Sequence, residues 1–160
     1  MQNYDAEYWI NKLALKPHPE GGYFKEIFKG GDLVTLDDNT DTTKSAYTSI
    51  YFLITKDSDS KFHRIKSDEI WHFYAGSHAE LYTIDEKGDF DIKILGAGDN
   101  AGFQHIVPKL SWQAARTTGD YSLLGCTVSP GFEFEDFEMA QKIELLNKFP
   151  KHKKIIEKLS

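Results

Sequence analysis

The segment FHRIKSDEIWHFYAG, residues 62–76, decides the fold of this chain. It contains two strand-like runs around the polar turn that precedes Glu69. Because side chains alternate between the two faces of a strand, His72 points away from the face that carries Glu69. The side chains predicted on that face are Glu69, Trp71 and Phe73. Together with His63 on the preceding run, the segment predicts an imidazole and a carboxylate that face one cavity.

A second segment, GFQHIVPKLSWQAA at residues 102–115, adds a further strand to the predicted cavity. Ser111 and Gln113 share one face of that strand, whereas Trp112 looks outward from it. We therefore expect Gln113 to point towards the imidazole and the carboxylate, with Ser111 beside it. His105 alternates with apolar neighbours on the run before it, so it is a further candidate for lining the barrel.

Runs rich in Tyr, Phe, Ile, Val and Thr recur between turn signals over most of the chain. These runs span 22–28, 47–55, 60–65, 69–75, 79–85, 90–95, 101–107, 111–116 and 121–128. Many short strands at regular spacing indicate an all-β sandwich or barrel. Residues 30–44, rich in Gly, Asp and Thr, are predicted to form a long loop.

Helical patterns flank the predicted strands at both ends of the chain. Residues 5–15 place apolar side chains near helical spacing behind Asp5, which is a good N-cap. A second helical pattern begins near residue 136 and extends to about residue 158. We predict one domain over residues 1–160, with a barrel at about 20–132 and a helical C-terminal extension.

Composition limits the classes of partner. The 160 residues are 40% hydrophobic, which is enough to build a sizeable core, and the formal net charge is −6. An acidic chain is a poor nucleic-acid binder, because such proteins need a basic surface to release counterions. No stretch has the length and apolarity of a membrane span, and the first residues do not resemble a signal peptide. We therefore expect a cytoplasmic protein without nucleic-acid or membrane partners.

The two segments also resemble the two-part signature of the cupin superfamily. That signature reads His-x-His, three or four residues, Glu, six residues, Gly, and later Gly, five residues, Pro-x-Gly, two residues, His. The positions that match are His63, Glu69, Gly76, Gly102 and Pro108. The positions that depart are Ile65 for the second His, Leu110 for the Gly and Gln113 for the last His.

Further blocks resemble a small RmlC-like cupin subfamily known as a domain of unknown function. They are HPEGGYF at 18–24, SIYFL at 49–53, the 62–73 segment and GCTVSPGFEF at 125–134. The resemblance covers about residues 5–158. It implies a double-stranded β-helix, or jelly-roll barrel, a homodimer, and a pocket whose ligand is a small molecule.

The departures bear on the metal that cupins usually hold. A mononuclear cupin site offers three imidazoles and one carboxylate to iron, manganese, nickel or zinc. Here the corresponding residues are His63, Glu69 and Gln113, with an alkyl side chain at Ile65. One hypothesis is a weakly bound divalent metal on these three residues, used for oxygenase or lyase chemistry.

The metal-free hypothesis is that His63 and Glu69 form an acid/base pair. A carboxylate beside a histidine raises its basicity and fixes its tautomer, which suits proton abstraction next to a carbonyl. Tyr51 is the candidate for the complementary acid. The candidates for ligand contact are Gln113, Trp71, Phe73, Ser111 and His105. An isomerase or epimerase is the reaction predicted first, by analogy with dTDP-sugar 3,5-epimerases of the same fold.

Two other readings of the same residues stay open. The cavity could belong to a ligand sensor that converts nothing, or His63 could be a core histidine without a function. His18 precedes the paired glycines Gly21 and Gly22, so its turn either forms the rim of the cavity or only connects the first helix to the first strand.

Overall fold

Two antiparallel sheets pack face to face around the core. The structure is a computed structural model that describes residues 4–36 and 42–160. Its strands are β1 (Lys16–Pro17), β2 (Tyr23–Lys29), β3 (Leu33–Thr35), β4 (Thr43–Ser45), β5 (Thr48–Thr55), β6 (Ser60–Arg64), β7 (Asp68–Gly76), β8 (Ala79–Ile84), β9 (Phe90–Leu95), β10 (Gln104–Val107), β11 (Trp112–Thr117), β12 (Tyr121–Ser129) and β13 (Glu138–Met139). Its helices are α1 (Ala6–Leu13), α2 (Lys142–Lys148) and α3 (Lys153–Lys158).

The strand order is that of a jelly roll. The larger sheet has the order β1-β2-β5-β12-β7-β10 and the smaller sheet the order β13-β6-β11-β8-β9. Neighbours in both sheets are mostly distant in sequence, so the chain crosses repeatedly between the two layers. The predicted all-β jelly-roll barrel with short terminal helices is confirmed.

The strand predictions agree with the structure to within three residues at each end. Two regions differ. Inside the predicted loop at 30–44, β3 and β4 pair as a small antiparallel sheet, and residues 37–41 lie outside the described residues. In the C-terminal extension, the first helix begins only at Lys142, because residues Glu138–Met139 instead pair with β6 at the edge of the smaller sheet.

The inner faces of both sheets form the main core. Phe52 and Trp71 of the larger sheet meet Leu81 and Ala115 of the smaller one, all of them buried. A second apolar cluster lies on the other face of the smaller sheet, where Trp112 packs with the C-terminal helices. The face of each β11 residue therefore follows from strand alternation, as predicted.

One departure from the cupin signature lies at a left-handed backbone position. Leu110 stands where the signature has glycine, and its φ is 66°, in the left-handed region that glycine adopts most easily.

Helix α1 covers part of the outer face of the larger sheet. Asp5 caps it, since the Asp5 Oδ1 accepts a hydrogen bond from the Tyr8 backbone N–H at 2.8 Å. The helix packs on a cluster that includes Leu53, Leu123 and Tyr51. The homodimer expected from the family resemblance stays a prediction.

Across residues 4–36 and 42–160, no helix has both the length and the apolar character that a membrane crossing requires.

Candidate functional site

An open cavity of about 60 Å³ lies between the two sheets at one end of the barrel. Its polar lining residues are His18, Glu20, Glu26, Thr48, His63, Glu69 and Cys126. Its aromatic lining residues are Phe24, Phe52, Phe132, Phe134 and Phe137. The composition of its lining is that of small-molecule sites, which are mostly apolar with a few converging polar groups.

A tight turn between β1 and β2 carries two of the polar groups, His18 and Glu20. Gly21 has a φ of 102°, and a Cβ there would lie 2.1 Å from the backbone oxygen of Asp59. The turn is fastened to the barrel because the Lys61 N–H donates to the Glu20 backbone oxygen at 2.8 Å. The glycine thus permits a close approach that presses the Glu20 side chain into the cavity.

The Glu20 carboxyl lies between two imidazoles. Its Oε2 is 3.3 Å from the Nδ1 of His18 and 3.3 Å from the Nε2 of His63. Its Oε1 accepts a hydrogen bond from the Ser60 hydroxyl at 2.8 Å. Glu20 is 5% exposed and His63 is 2% exposed, so this group of four side chains is shielded from water.

The backbone fixes the tautomer of both imidazoles. The Nδ1 of His63 is 2.8 Å from the Lys61 carbonyl oxygen, which can only accept, so Nδ1 carries a hydrogen. The Nδ1 of His18 accepts from the Glu20 backbone N–H at 3.3 Å, so in the neutral ring this nitrogen carries none. The His63 Nε2 therefore presents a free lone pair to the Glu20 Oε2, whereas the lone pair of the His18 Nδ1 is shared with the Glu20 backbone N–H. A single proton, held by Oε2 or passed to one ring, satisfies this arrangement.

The electrostatics agree with a proton on the carboxyl. Burial raises the pKa of Glu20 to about 8, and the Ser60 hydrogen bond opposes this only in part. Burial, and then the neighbouring His63, lower the pKa of His18 to about 4. Burial also lowers the pKa of His63, against the opposing effects of Glu69 and the Lys61 carbonyl. Burial therefore favours the neutral form of the carboxyl and of both rings.

Glu69 approaches the same cavity from β7 and has different partners. Its Oε2 accepts a hydrogen bond of 2.5 Å from the Gln113 amide, whose Oε1 accepts from the Trp71 indole N–H at 2.9 Å. The Cys126 thiol is a further neighbour that favours the ionised carboxylate. Burial raises the pKa of Glu69, while these donors and His63 oppose the rise. Glu69 is thus held as an acceptor by groups that cannot take its proton.

Three phenylalanines that line the cavity lie on the segment 132–138, which follows β12. The rings of Phe132, Phe134 and Phe137 meet edge to face with centroids 5.0 to 6.3 Å apart. Ion pairs hold this segment to the barrel. They are Lys29–Glu133, Lys44–Asp136, Lys66–Asp136 and Arg64–Glu138.

The structure brings together some of the residues that the sequence singled out. His63 and Glu69 line the cavity, and Trp71 and Gln113 lie directly behind Glu69. The placement of Tyr51 in the cavity was wrong. Its face of β5 points away from the interior, because Phe52 and Ile50 occupy the inner face, and Tyr51 lies instead beside α1.

Three further candidates lie away from the cavity lining. Phe73 packs against the main core and contacts the ring of His78. His105 is bound to the Ile94 carbonyl oxygen at 3.0 Å by its Nε2. Ser111 is buried in the turn before β11. None of these three side chains is among the described residues that line the cavity.

The residues proposed as metal ligands do not fit a cupin metal site. The single oxygen of the Gln113 amide is turned to the Trp71 indole, and its nitrogen faces Glu69. The Nε2 of His63 faces Glu20 rather than Glu69 and Gln113. Within the part of the chain that the structure describes, no group of three or more His, Cys, Asp or Glu side chains is arranged to hold a metal ion.

Sequence reasoning missed Glu20, whose Oε2 lies 3.3 Å from the His63 Nε2. The available signal was the pair His18 and Glu20 directly before two glycines, because such a turn can bring polar side chains close to another strand. His72, in contrast, lies as predicted on the outer face, where its Nε2 is 3.0 Å from the Thr127 hydroxyl.

Comparisons with known proteins agree with this architecture. A family model described as Cupin superfamily (DUF985) matches residues 7–140. A hypothetical protein from Leishmania major is 33% identical, with a TM-score of 0.91 over 98% of this chain and 99% of that one. A protein from Shewanella oneidensis is 34% identical, with a TM-score of 0.89 over 99% and 98%.

A more distant structure shares the fold alone. Oxalate decarboxylase from Bacillus subtilis is 18% identical, with a TM-score of 0.57 over 90% of this chain and 36% of its own. None of the curated proteins compared matches the chain.

Proposed function

The chain belongs to the family described as Cupin superfamily (DUF985). We propose that it binds a small metabolite in its cavity and moves a proton on that metabolite, as an isomerase or epimerase does. The observation that carries this proposal is the placement of the buried Glu20 carboxyl within 3.3 Å of one ring nitrogen of His18 and one of His63. A site that can give and take one proton near neutral pH is suited to enolisation next to a carbonyl.

Each group then has a defined task. The His63 Nε2 removes the proton from the carbon next to the carbonyl, and the electron pair of that C–H bond forms the C=C bond of an enol. The Glu20 O–H gives its proton to the carbonyl oxygen. When both protons return, with the carbon proton delivered to a different face or position, the product is an epimer or an isomer. Substrate binding would displace the contact between Glu20 and His63, whose Oε2 and Nε2 atoms are 3.3 Å apart.

This proposal changes the partner of His63. The sequence favoured Glu69 as the second member of the acid/base pair, but the Glu69 carboxylate is bound by the Gln113 amide. Its charge acts on His63 from a distance by raising the pKa of that imidazole. We therefore assign the proton transfer to Glu20 and His63, with His18 as the alternative acceptor of the Glu20 proton.

The test is exchange of carbon-bound hydrogen with solvent. Small carbonyl metabolites are incubated with the protein in D₂O, and loss of the α-proton signal is followed by NMR. We expect exchange with the natural protein and a strong loss in Glu20→Gln. This variant is well matched, because a glutamine NH₂ can donate to both imidazoles and its oxygen can accept from Ser60. Tyr51→Phe, which changes a side chain outside the cavity, is the control that should exchange normally.

Two results would replace the proposal. Stoichiometric iron, manganese, nickel or zinc in protein purified without chelator, lost in His63→Ala, would establish a metal-dependent cupin instead. A metabolite that binds equally well to Glu20→Gln and is never exchanged or converted would establish a ligand sensor.

A further inference from the structure

The cavity contains acidic groups and no fixed cation. Its described lining includes three glutamates, Glu20, Glu26 and Glu69, and neither lysine nor arginine. The basic side chains next to the mouth are already committed, since Lys44 and Lys66 both pair with Asp136. An anionic ligand would lose its water without gaining a counter-charge, and that transfer is costly.

The walls of the cavity offer flat apolar surfaces. The His18 ring is 4.6 Å from the centroid of Phe24, 5.9 Å from Phe52 and 5.7 Å from Phe137, in each case edge to face. Phe134 lies roughly parallel to His18 at 6.1 Å. Polar groups and aromatic rings therefore lie side by side in the lining, where a planar ligand makes favourable stacked or edge-to-face contacts.

The polar end of the cavity suits an uncharged group. The protonated Glu20 carboxyl donates a hydrogen bond, and the imidazole nitrogens that face it accept one. Glu69 already has the Gln113 amide as its donor. A ligand carbonyl can accept from Glu20, whereas a ligand ammonium would have to displace the existing donors or remove the Glu20 proton.

From the lining, the rings and the polar end together, we infer that the substrate is an uncharged carbonyl compound bearing an aromatic or similarly flat apolar group, and that carboxylates and phosphates of the same shape are rejected. This inference rests on the proposed function for the carbonyl and on the cavity lining for the absence of charge.

A matched set of three probes tests the inference. Phenylacetone is uncharged, phenylpyruvate carries the same ring and a carbonyl next to a carboxylate, and phenethylamine carries the ring with an ammonium. Binding is measured by ligand-observed NMR titration or calorimetry at constant ionic strength. We expect phenylacetone to bind at least tenfold more tightly than either charged probe. Binding of phenylpyruvate or phenethylamine as tight as that of phenylacetone, or no binding of phenylacetone at millimolar concentration, would overturn the inference.

Variants at the exposed rim separate the role of charge from that of shape. Glu26 is an exposed lining residue, so its replacement should leave the fold intact. Glu26→Lys should improve the binding of phenylpyruvate several-fold relative to that of phenylacetone, whereas Glu26→Gln should have an intermediate effect. Phe134→Ala should weaken phenylacetone several-fold but leave butanone, which has no ring, unaffected. Equal responses of phenylpyruvate to all three substitutions would contradict the charge argument.

The same probes keep this inference distinct from the proposed function. Binding of phenylacetone without deuterium exchange at its benzylic carbon would sustain the substrate class and refute proton transfer. Exchange on phenylpyruvate together with tight binding would sustain proton transfer and refute the substrate class.

Discussion

The two sides of the cavity hold a buried carboxyl each and treat it differently. On the side of the turn before β2, Glu20 meets one ring nitrogen of His18 and one of His63. On the side of β7 and β11, Glu69 meets an amide N–H that is itself fixed by an indole. Both carboxyls are less than a tenth exposed.

The difference shows that partners, rather than burial, decide what a buried carboxyl does. Burial raises the pKa of both groups. Around Glu20 the neighbouring imidazoles can accept its proton, so the carboxyl can act as a general acid. Around Glu69 the neighbours can only donate hydrogen bonds, so the group serves as a fixed acceptor and a source of negative potential.

The largest expected effect is on proton transfer when Glu20 loses its acidity. Glu20→Gln should lower the rate of α-proton exchange by about 1,000-fold, within the range of 10²–10⁴ typical of a general acid or base. The fold should persist, because the amide reproduces the hydrogen bonds of the protonated carboxyl. Exchange followed by NMR, with circular dichroism as the check on folding, measures this. A loss below tenfold would remove Glu20 from the chemistry.

The second effect concerns stability against pH. The pKa of Glu20 rises from 4.5 in the unfolded chain to about 8 in the folded protein. The folded state therefore binds the extra proton, and the resulting stability is full below pH 4.5 and is lost as pH rises through 8. Relative to Glu20→Gln, the free energy of unfolding of the natural protein should fall by about 3 kcal/mol between pH 5.5 and 7.5.

Urea unfolding of both proteins at several pH values measures this difference. The subtraction isolates Glu20, because His18, whose lowered pKa makes stability fall as pH drops from 6.5 through about 4, is present in both proteins. A difference that is independent of pH would show that the Glu20 carboxyl ionises normally.

A third effect should appear on the Glu69 side as a loss of stability. Gln113→Met removes both hydrogen bonds of the amide and leaves the Trp71 indole N–H and the Glu69 carboxylate without that partner. We expect the free energy of unfolding to fall by about 2 kcal/mol, the cost of leaving buried polar groups unsatisfied. Chemical denaturation measures it, and a double-mutant cycle with Trp71→Phe reports how much of the loss passes through the indole. Full stability in Gln113→Met would mean that water replaces the amide.

The smallest effect is that of neutralising Glu69. Glu69→Gln keeps an oxygen that can accept from Gln113 but removes the negative charge that raises the basicity of His63. We expect exchange to slow by about tenfold, far less than in Glu20→Gln. The pH dependence of exchange should also shift to lower pH, because the pKa of His63 falls. If Glu69→Gln proved as damaging as Glu20→Gln, the division of labour between the two carboxyls would be wrong.

Most of the fold could be predicted from the sequence, because strand alternation and turn signals are local patterns. Alternation along residues 62–76 placed Glu69 and Trp71 on the inner face and His72 on the outer face, and the structure has them there. The same rule could not tell which face of β5 is the inner one. That ambiguity put Tyr51 in the cavity, whereas in the structure Phe52 faces inward.

The C-terminal extension shows a related limit. The helical spacing predicted a helix from residue 136, but the helix begins only at Lys142. The residues Glu138–Met139 pair with the backbone of β6 instead. Backbone pairing with a strand more than 70 residues away leaves no trace in a local pattern. The same limit applies to the segment 132–138, whose phenylalanines line the cavity. Their position depends on contacts with strands that are distant in the sequence.

From the sequence, the resemblance to the cupin signature predicted the jelly roll, and strand alternation together with that signature predicted that His63 and Glu69 face inward. The contact of His63 with Glu20, 43 positions away, and the hydrogen bond from Gln113 to Glu69 became visible only in the packed structure. Hydrogen bonds and proton positions depend on separations of a few tenths of an ångström. Such separations exist only after the turn, the strands and the C-terminal segment have packed together.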